Sequence, residues 1–472
     1  MADDERKRRG AWYTPDSLVA LVVDAVVDRS FVDRMGNRPV RVIDPACGDG
    51  RFLRAAADRI VALGGRADVV GIDVDSSAIG AARLVVPEAR LVHADALAVD
   101  GAVSPAGTSF DLVVGNPPYL SQLASSTTRG AASRHGGGPY ADAAVEFLAL
   151  AASLVEREGG RVAYVLPQSI LAARDGEPVR RSIDERARMI WSAWTGQRDF
   201  DADVLTCALA FEFGRAGSGR PGSWAHVVTE RTGVPPVPAQ LRESGGSGVE
   251  GAGTLGDRAW LNANFRDEYY GMIPAVGDHD AGPPLVTSGL IDPGRSLWGQ
   301  REVRFAKRRF AAPRIDLDAL DPKMRAWADR RLVPKVLVAN QTPVLEAVAD
   351  PGGDWLPGVP VVGIYPMAEV DVARVTGEIA SVLTSPSASA WAWHERGGTG
   401  LSANTIRVGP VMLASLPWPT GDLSEAVAAL RAGDVTSCGR AVDRAYGIDE
   451  DDASTLMAWW KPIVERIRSR TD

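Results

Sequence analysis

A short turn rich in small side chains restricts the fold more than any other feature of this chain. Residues 40–43 form a β-branched run, residues 52–63 repeat Ala, Leu and Ile at helical spacing, and Asp44-Pro45-Ala46-Cys47-Gly48-Asp49-Gly50 joins the two. A strand, a glycine-containing turn and a helix in this order predict one βα unit of a mainly parallel sheet. Ligands of such sheets bind beyond the carboxyl ends of the strands, which is where this turn lies.

The same alternation continues through the first half of the chain, and it predicts an α/β fold whose sheet is covered by helices on both faces. Further strands are predicted at residues 69–72, 89–92, 110–114, 161–166 and 204–213, and further helices at residues 76–84 and 143–155.

The composition changes after residue 213, which indicates a domain junction. Residues 214–222 and 244–256 are rich in Gly, Ser and Pro and are typical of linkers. With 472 residues, the chain is long enough for two domains and accessory segments. We predict a first domain at 1–215, a linker at 216–260, a second domain at 261–420 and a helical segment at 421–472. Within the second half, strands are predicted at 335–339 and 359–365 and helices at 370–383 and 453–467.

Bulk composition excludes several classes of protein. The hydrophobic fraction of 45% and the charged fraction of 24% are typical of globular domains. No apolar run is long enough for a membrane helix and the start of the chain is charged, so we expect a soluble cytoplasmic protein without a membrane partner. The three cysteines are far apart and form no CxxC pair, which argues against a disulfide framework and a zinc site. No metal is expected.

The turn after the first predicted strand has the residues of a cofactor site. It lacks the GxGxxG spacing that binds a pyrophosphate. An acid, Asp44, followed by Ala46, Gly48 and Gly50, suits a ligand with an ammonium group and no phosphate, and S-adenosylmethionine is such a ligand. The alternative is an ordinary glycine-rich turn.

Two more acids follow strands of the same predicted sheet. Asp73 ends the second strand, where Rossmann-type sites place a carboxylate for ribose hydroxyl groups. Asp95 follows the third strand, where it can accept a hydrogen bond from the amino group of an adenine ring. Each acid alone could be a helix cap or a surface residue.

The fourth predicted strand runs directly into Asn116-Pro117-Pro118-Tyr119. The prolines stiffen this turn and lack N–H donors, which leaves carbonyl oxygens free to accept. The Asn116 side-chain oxygen and the Pro117 carbonyl can accept hydrogen bonds from a conjugated amino group and so make its nitrogen more nucleophilic. Tyr119 offers a ring on which a planar base can stack. The alternative is a proline-rich turn without chemistry.

The order of these motifs resembles the gamma class of DNA adenine N6-methyltransferases. In that class a motif ending in Tyr-Thr-Pro comes first, and Gly10-Ala11-Trp12-Tyr13-Thr14-Pro15 matches it. The resemblance implies that Tyr13, Thr14, Pro15 and the apolar Phe147 contact S-adenosylmethionine. It also implies that Phe200 stacks on a flipped-out adenine opposite Tyr119, because a base inside a duplex cannot reach a buried methyl donor. The resemblance is specific over about the first 215 residues, and beyond them it is looser and implies an α+β target-recognition domain.

The resemblance makes double-stranded DNA the expected partner, although the formal net charge of −8 argues against it. Lys and Arg outnumber acidic residues between positions 295 and 335, however, and such a cluster matters more than the total. This segment is either a solvated face or a phosphate-binding surface. The candidate DNA contacts are Arg301, Arg304, Lys307, Arg308 and Arg309.

Other functions remain open at this point. Enzymes that methylate RNA bases or a protein glutamine use the same tetrapeptide, and a catalytically silent DNA-binding specificity subunit is a third possibility. Only about a dozen residues precede the Tyr-Thr-Pro motif, too few for a nuclease domain. A restriction endonuclease or another defence-system subunit is therefore expected to be a separate chain, or absent.

Overall fold

The computed structural model divides into two compact units, an amino-terminal unit (Met1–Val227) and a carboxy-terminal unit (Val228–Asp472). It describes residues 14–98, 109–119, 135–138, 141–155, 158–171, 173–194, 206–214, 224, 227, 233–242, 253–264, 266–367, 371–397 and 404–471. No helix in these ranges is long and apolar enough to cross a membrane.

A seven-stranded mixed sheet forms the centre of the amino-terminal unit, as the described residues show it. Its spatial order is β3-β2-β1-β4-β5-β7-β6. The first five strands in this order are parallel, and β7 is antiparallel to both β5 and β6. The strands are β1 (Val40–Asp44), β2 (Ala67–Asp73), β3 (Arg90–His93), β4 (Leu112–Gly115), β5 (Arg161–Pro167), β6 (Ala187–Trp194) and β7 (Thr206–Phe213). The predicted α/β fold with a mixed sheet is confirmed.

Helices pack against this sheet through the apolar residues of their sequences. The described helices are α1 (Asp16–Val26), α2 (Arg29–Asp33), α3 (Arg51–Ala62), α4 (Ser76–Val85), α5 (Ala143–Leu154) and α6 (Glu177–Asp184). Buried residues of α1, α2 and α3 share one cluster with Leu112 and Val114 of β4, whereas Val113 lies outside it. Side chains alternate along a strand, so these three helices cover one face of the sheet. Helix α5 packs on β5 with buried residues that are not part of this cluster.

Four elements of this unit, α1, α2, α6 and β6, have no counterpart in the sequence prediction. Helix α1 is a nearly continuous apolar run, from which periodicity alone does not distinguish a helix from a strand. Strand β6 pairs with β7 through a register shift between Met189 and Trp191, which interrupts the alternation that a strand would show. The predicted strand at 204–213 begins at Thr206 in the structure, and its first two residues lie outside the described residues.

The carboxy-terminal unit has a small antiparallel sheet and many short strands. The sheet has the order β18-β16-β20-β8. The strands are β8 (Ala259–Ala263), β9 (Val276–Gly277), β10 (Leu285–Val286), β11 (Ile291–Asp292), β12 (Arg295–Ser296), β13 (Val303–Phe305), β14 (Arg308–Phe310), β15 (Arg314–Ile315), β16 (Lys335–Ala339), β17 (Gln341–Thr342), β18 (Ala347–Asp350), β19 (Leu356–Pro357), β20 (Val361–Pro366) and β21 (Ile406–Arg407).

Helices lie between and after the strands of this unit, which is α+β because its four-stranded sheet is antiparallel. They are α7 (Ala239–Arg242), α8 (Arg266–Met272), α9 (Pro322–Asp329), α10 (Val372–Leu383), α11 (Pro386–Arg396), α12 (Pro410–Ala414), α13 (Ser424–Arg431), α14 (Val435–Ala445) and α15 (Glu450–Arg468). Strands β16 and β20 and helices α10 and α15 lie where the sequence predicts them, within three residues at each end. The recognition role assigned to residues 261–420 stays a prediction, as do the four domain boundaries.

A buried arginine joins three elements at the amino end of β5. Arg161 Nη2 lies 2.9 Å from Glu212 Oε2 on β7, and both side chains are nearly inaccessible. Arg161 Nη1 also donates to Asp28 Oδ2 at 2.7 Å and to the carbonyl of Val26 at the end of α1 at 2.9 Å. A buried charge needs such compensation, so this contact fixes α1 against the antiparallel part of the sheet.

Replacing this arginine tests how much the contact stabilises the unit. Arg161→Met leaves Glu212 buried with only the peripheral Arg34 and Arg188, and we expect it to lower the free energy of unfolding by about 3 kcal/mol. The control is Arg54→Met, which removes an exposed ion pair with Asp58 and should cost less than about 1 kcal/mol. Urea unfolding measures both, and equal losses would contradict a special role of Arg161.

Candidate active site

The turn that follows β1 is held against the end of β2 by backbone hydrogen bonds. Gly48 and Gly50 have positive φ angles of 53° and 84°, a region that glycine enters without the steric cost of a Cβ atom. The Gly48 amide donates to Asp73 Oδ2 at 2.8 Å, and the Cys47 amide donates to the carbonyl of Ile72 at 2.9 Å. The turn, Asp44 and Asp73 therefore lie together at the carboxyl ends of β1 and β2, which form one edge of the sheet.

Asp44 is a buried carboxylate at this edge. Its side chain accepts from the Ala46 amide at 3.0 Å, and the residue is only 2% exposed. Burial, together with the negative charges of Asp73 and Asp49, raises the pKa of Asp44 to about 8. A cation placed beside Asp44 would favour its ionised form.

Gly115, the last residue of β4, makes room for Asp44. A Cβ atom at Gly115 would lie 2.5 Å from Asp44 Oδ1, closer than any side chain allows. The glycine before the tetrapeptide is therefore needed for a close approach of β1 and β4 and not for flexibility.

The other predicted cofactor residues are placed as follows. Each Asp73 oxygen accepts one backbone N–H, from Gly48 and from Asp75. Asp95 is exposed after β3 and accepts from the Leu97 amide at 2.9 Å. Phe147 is buried in α5. Tyr13 lies outside the described residues.

The tetrapeptide after β4 has a defined hydrogen-bond pattern. Asn116 Nδ2 donates to Thr14 Oγ1 at 3.0 Å, and the Tyr119 hydroxyl donates to Asn116 Oδ1. The same hydroxyl lies 3.2 Å from the carbonyl oxygen of Val165 on β5. Burial raises the pKa of Tyr119 well above its ordinary value, so its hydroxyl stays protonated. Asn116 thus has its amide nitrogen fixed and its oxygen covered by a group that a substrate can replace.

Arg51, which the sequence prediction did not include, connects Thr14 to the turn after β1. Its Nη1 donates to the Thr14 carbonyl at 2.5 Å, and its Nη2 lies 2.6 Å from Asp49 Oδ2. Hydrogen bonds therefore run from the glycine turn through Arg51 and Thr14 to Asn116. Arg51 is the first residue of α3, and nothing in the sequence distinguishes it from other arginines at this position of a helix.

Two further buried polar groups near these strands were also missed. Gln168 directly follows β5, donates from Nε2 to the Thr206 carbonyl at 3.1 Å, and finds no partner for Oε1 among the described residues. Tyr164 pairs with Gly115 across β4 and β5, and its hydroxyl has no partner within the same residues either. Phe200, the predicted second stacking residue, lies outside the described residues. Among those residues no group of His, Cys, Asp and Glu could hold a metal ion.

The five basic residues predicted to contact DNA fall into two groups in the carboxy-terminal unit. Arg301 is half-buried, donates to the Gly289 carbonyl at 2.9 Å and lies 3.5 Å from the buried Asp292. Its contacts are those of a structural residue. The other four are exposed on or between β13 and β14: Arg304, Lys307, Arg308 and Arg309.

Comparison with protein families agrees with the geometry of the amino-terminal unit. Residues 1–187 match the family described as N-6 DNA Methylase. The matched segment contains β1 to β5 with the glycine turn, the three acids and the tetrapeptide.

Curated relatives are similar to this chain over part of their own length. The modification methylase CviBIII of Paramecium bursaria Chlorella virus NC1A is 23% identical over 186 residues, which are 39% of this chain and 44% of that protein. The type II methyltransferase M.TthHB8I of Thermus thermophilus is 29% identical over 167 residues, which are 31% of this chain and 34% of that protein. The chain thus covers less than half of these relatives.

One solved structure resembles nearly the whole chain, including the residues beyond 187 that the family model does not match. It is that of the type IIL restriction-modification enzyme MmeI in complex with DNA, which matches 98% of this chain and 80% of its own with a TM-score of 0.59 and 14% sequence identity. At this identity the likeness shows a shared fold.

The raised pKa of Asp44 predicts that the free energy of unfolding of the amino-terminal unit depends on pH. Between about pH 4 and about pH 8 the folded protein keeps a proton on Asp44 that the unfolded chain has lost, so stability due to this group falls as the pH rises. Asp44→Asn removes this dependence. Without ligand, we expect the urea midpoint of the variant to rise relative to wild type between about pH 5 and about pH 8.5. The control is Asp58→Asn, at an exposed carboxylate of α3. A pH-independent difference for Asp44→Asn would contradict the prediction.

Proposed function

We propose that this protein transfers a methyl group from S-adenosylmethionine to the exocyclic N6 of an adenine in duplex DNA, as the modification part of a restriction-modification or related phage-defence system. The observation that carries the proposal is the Asn116 carboxamide, held by Thr14 at the carboxyl end of β4. The family match of residues 1–187 and the modification methylases among the relatives support it.

The tetrapeptide supplies what an exocyclic amine needs to react. The lone pair of such an amine is delocalised into the ring, which makes the nitrogen a weak nucleophile. Asn116 Oδ1 and the Pro117 carbonyl accept its two N–H groups and draw the lone pair out of the ring system. The substrate amine takes the place that the Tyr119 hydroxyl occupies on Asn116 Oδ1. Because Tyr119 stays protonated, it contributes its ring and does not act as a base, and the surplus proton of the methylated nitrogen leaves to solvent.

The edge formed by β1, β2 and β4 fits the methyl donor. S-adenosylmethionine supplies a methyl group on a positively charged sulfur and carries an ammonium group but no phosphate. The buried Asp44 is a counter-charge for such a ligand, and each Asp73 oxygen keeps a lone pair for a hydroxyl group. The residues proposed to hold it are Tyr13, Thr14, Pro15, Asp44, Ala46, Gly48, Gly50, Asp73, Asp95 and Phe147.

The target base has to leave the duplex to reach Asn116. We propose that Tyr119 stacks on one side of the flipped adenine and Phe200 on the other, and that the exposed basic residues of the carboxy-terminal unit bind DNA phosphates. We also propose a restriction endonuclease or other defence-system subunit as a partner of this chain, acting with it on cytoplasmic DNA.

The first experiment replaces the residue that activates the amine. Asn116→Ala removes the side-chain acceptor, and we expect methyl transfer to fall by a hundredfold or more, about the loss seen when a pre-organised hydrogen-bonding group of a catalytic site is removed. Transfer of labelled methyl groups to DNA, to structured RNA and to protein is measured in parallel, with cofactor affinity by calorimetry. The control is Asn37→Ala, at an exposed asparagine of the same unit.

We expect label in DNA alone, an inactive Asn116→Ala variant that binds cofactor as the wild type does, and an active Asn37→Ala variant. Label in RNA or protein would overturn the assigned substrate. Full activity of Asn116→Ala would overturn the mechanism.

The second experiment tests whether Thr14 orients Asn116. Thr14→Val keeps the size of the side chain but removes the acceptor for Asn116 Nδ2, so the carboxamide can rotate. At saturating cofactor we expect kcat to fall about tenfold, the effect of losing roughly 1.4 kcal/mol. Thr14→Ser keeps the hydroxyl and should restore kcat. Equal kcat values for the two variants would show that the hydroxyl has no such role.

A further inference from the structure

The hairpin formed by β13 and β14 has an unfavourable turn at its tip. Phe305 pairs with Arg308, so Ala306 and Lys307 form a two-residue turn, and their φ angles are +49° and +65°. Turns with two positive φ angles favour Asn-Gly, because a Cβ atom opposes this conformation in other residues. The chain instead keeps a lysine side chain at the tip.

The strands of the hairpin bring like charges together. Arg304 lies directly opposite Arg309, and both are exposed. Like charges in this position destabilise a strand pair. Arg309 Nη1 reaches Glu302 only at 3.5 Å, in an ion pair open to solvent, and within the described part of the chain Arg304 and Lys307 form no ion pair. The hairpin thus concentrates positive charge that its own structure does not neutralise.

The other side of the hairpin holds it rigidly in place. Val303, Phe305 and Phe310 belong to the buried core of the carboxy-terminal unit. The ring of Tyr269 in α8 lies 4.9 Å from that of Phe305, and its hydroxyl accepts from the Ala306 amide at 3.2 Å. The strained turn is therefore braced from below, and its charged residues face solvent.

We propose that this hairpin enters the major groove of duplex DNA, with Arg304, Lys307 and Arg309 against the phosphates that border the groove. This rests on the proposed function for its substrate. The strain of the turn and the repulsion between Arg304 and Arg309 both act against folding. A bound polyanion offsets this repulsion and pairs with the Lys307 ammonium group. The major groove of B-form DNA admits a two-stranded ribbon, whereas the deep and narrow major groove of an RNA duplex does not.

Two substitutions separate this role from a structural one, since each relieves a local cost of the hairpin. Lys307→Gly suits the positive φ angle, and Arg304→Glu places an opposite charge across from Arg309. We expect the urea midpoint to stay equal or to rise in both variants while DNA affinity falls. The slope of log K against log salt should become shallower by about one for Lys307→Gly and by about two for Arg304→Glu.

The binding probe is a fluorescent duplex of about thirty base pairs, compared with an RNA duplex of the same sequence. The control is Arg374→Gln, which removes an exposed cation of α10 that Asp371 and Glu378 already neutralise and should leave the salt slope unchanged. Methyl transfer to genomic DNA is followed in all variants at saturating DNA.

Lower affinity for DNA without loss of stability supports the proposal. An unchanged affinity and salt slope, an affinity loss accompanied by a lower urea midpoint, or an equal loss for the RNA duplex would each overturn it. If hairpin variants bind DNA normally and wild type still methylates it, only the hairpin assignment fails. If wild type transfers no methyl group to DNA, the proposed function fails first.

Discussion

The hydrogen bond from Asn116 to Thr14 determines what the rest of this site can do. A carboxamide has a donor end and an acceptor end, and only the acceptor end can activate an amine. Thr14 Oγ1 accepts from the donor end, and the Tyr119 hydroxyl donates to the acceptor end, Asn116 Oδ1, which the proposed mechanism assigns to the substrate amine. Arg51 holds the Thr14 carbonyl and the Asp49 carboxylate together, which ties this orientation to the glycine turn.

The sheet provides the fixed positions that this bond requires. The parallel strands β1 and β4 end side by side, and the missing side chain of Gly115 lets the Asp44 carboxylate approach the start of the tetrapeptide. Asp44, which we propose faces a cationic ligand, thereby lies next to the tetrapeptide. Asn116, which we propose faces a neutral amine, is a separate group. At the opposite end of the strands, Arg161 at the amino end of β5 fixes α1 to β7, so the site is built on elements with little freedom to shift.

The sequence predicts the parts of this structure that depend on neighbouring residues. Glycines in a strand-to-helix turn and alternating apolar runs are local signals, and the α/β fold and the positions of Asp44, Asp73 and Asn116 follow from them. Contacts between distant segments leave no such signal. Thr14 and Asn116 are 102 residues apart, Arg51 resembles any arginine at a helix start, and the unpartnered Gln168 belongs to no motif. A count of charges likewise does not distinguish Arg301, which donates to the Gly289 carbonyl, from Arg304 and Lys307, which are exposed to solvent.

The identity of the methylated nucleoside tests the central claim most directly. DNA incubated with the wild-type protein and isotopically labelled S-adenosylmethionine is digested to nucleosides, which are separated and identified by mass spectrometry. We expect all of the label in N6-methyldeoxyadenosine, because in the proposed mechanism Asn116 and Pro117 activate an exocyclic amine and residues 1–187 match the N-6 DNA Methylase model. Label on a ring carbon, or on the amino group of cytosine, would contradict it.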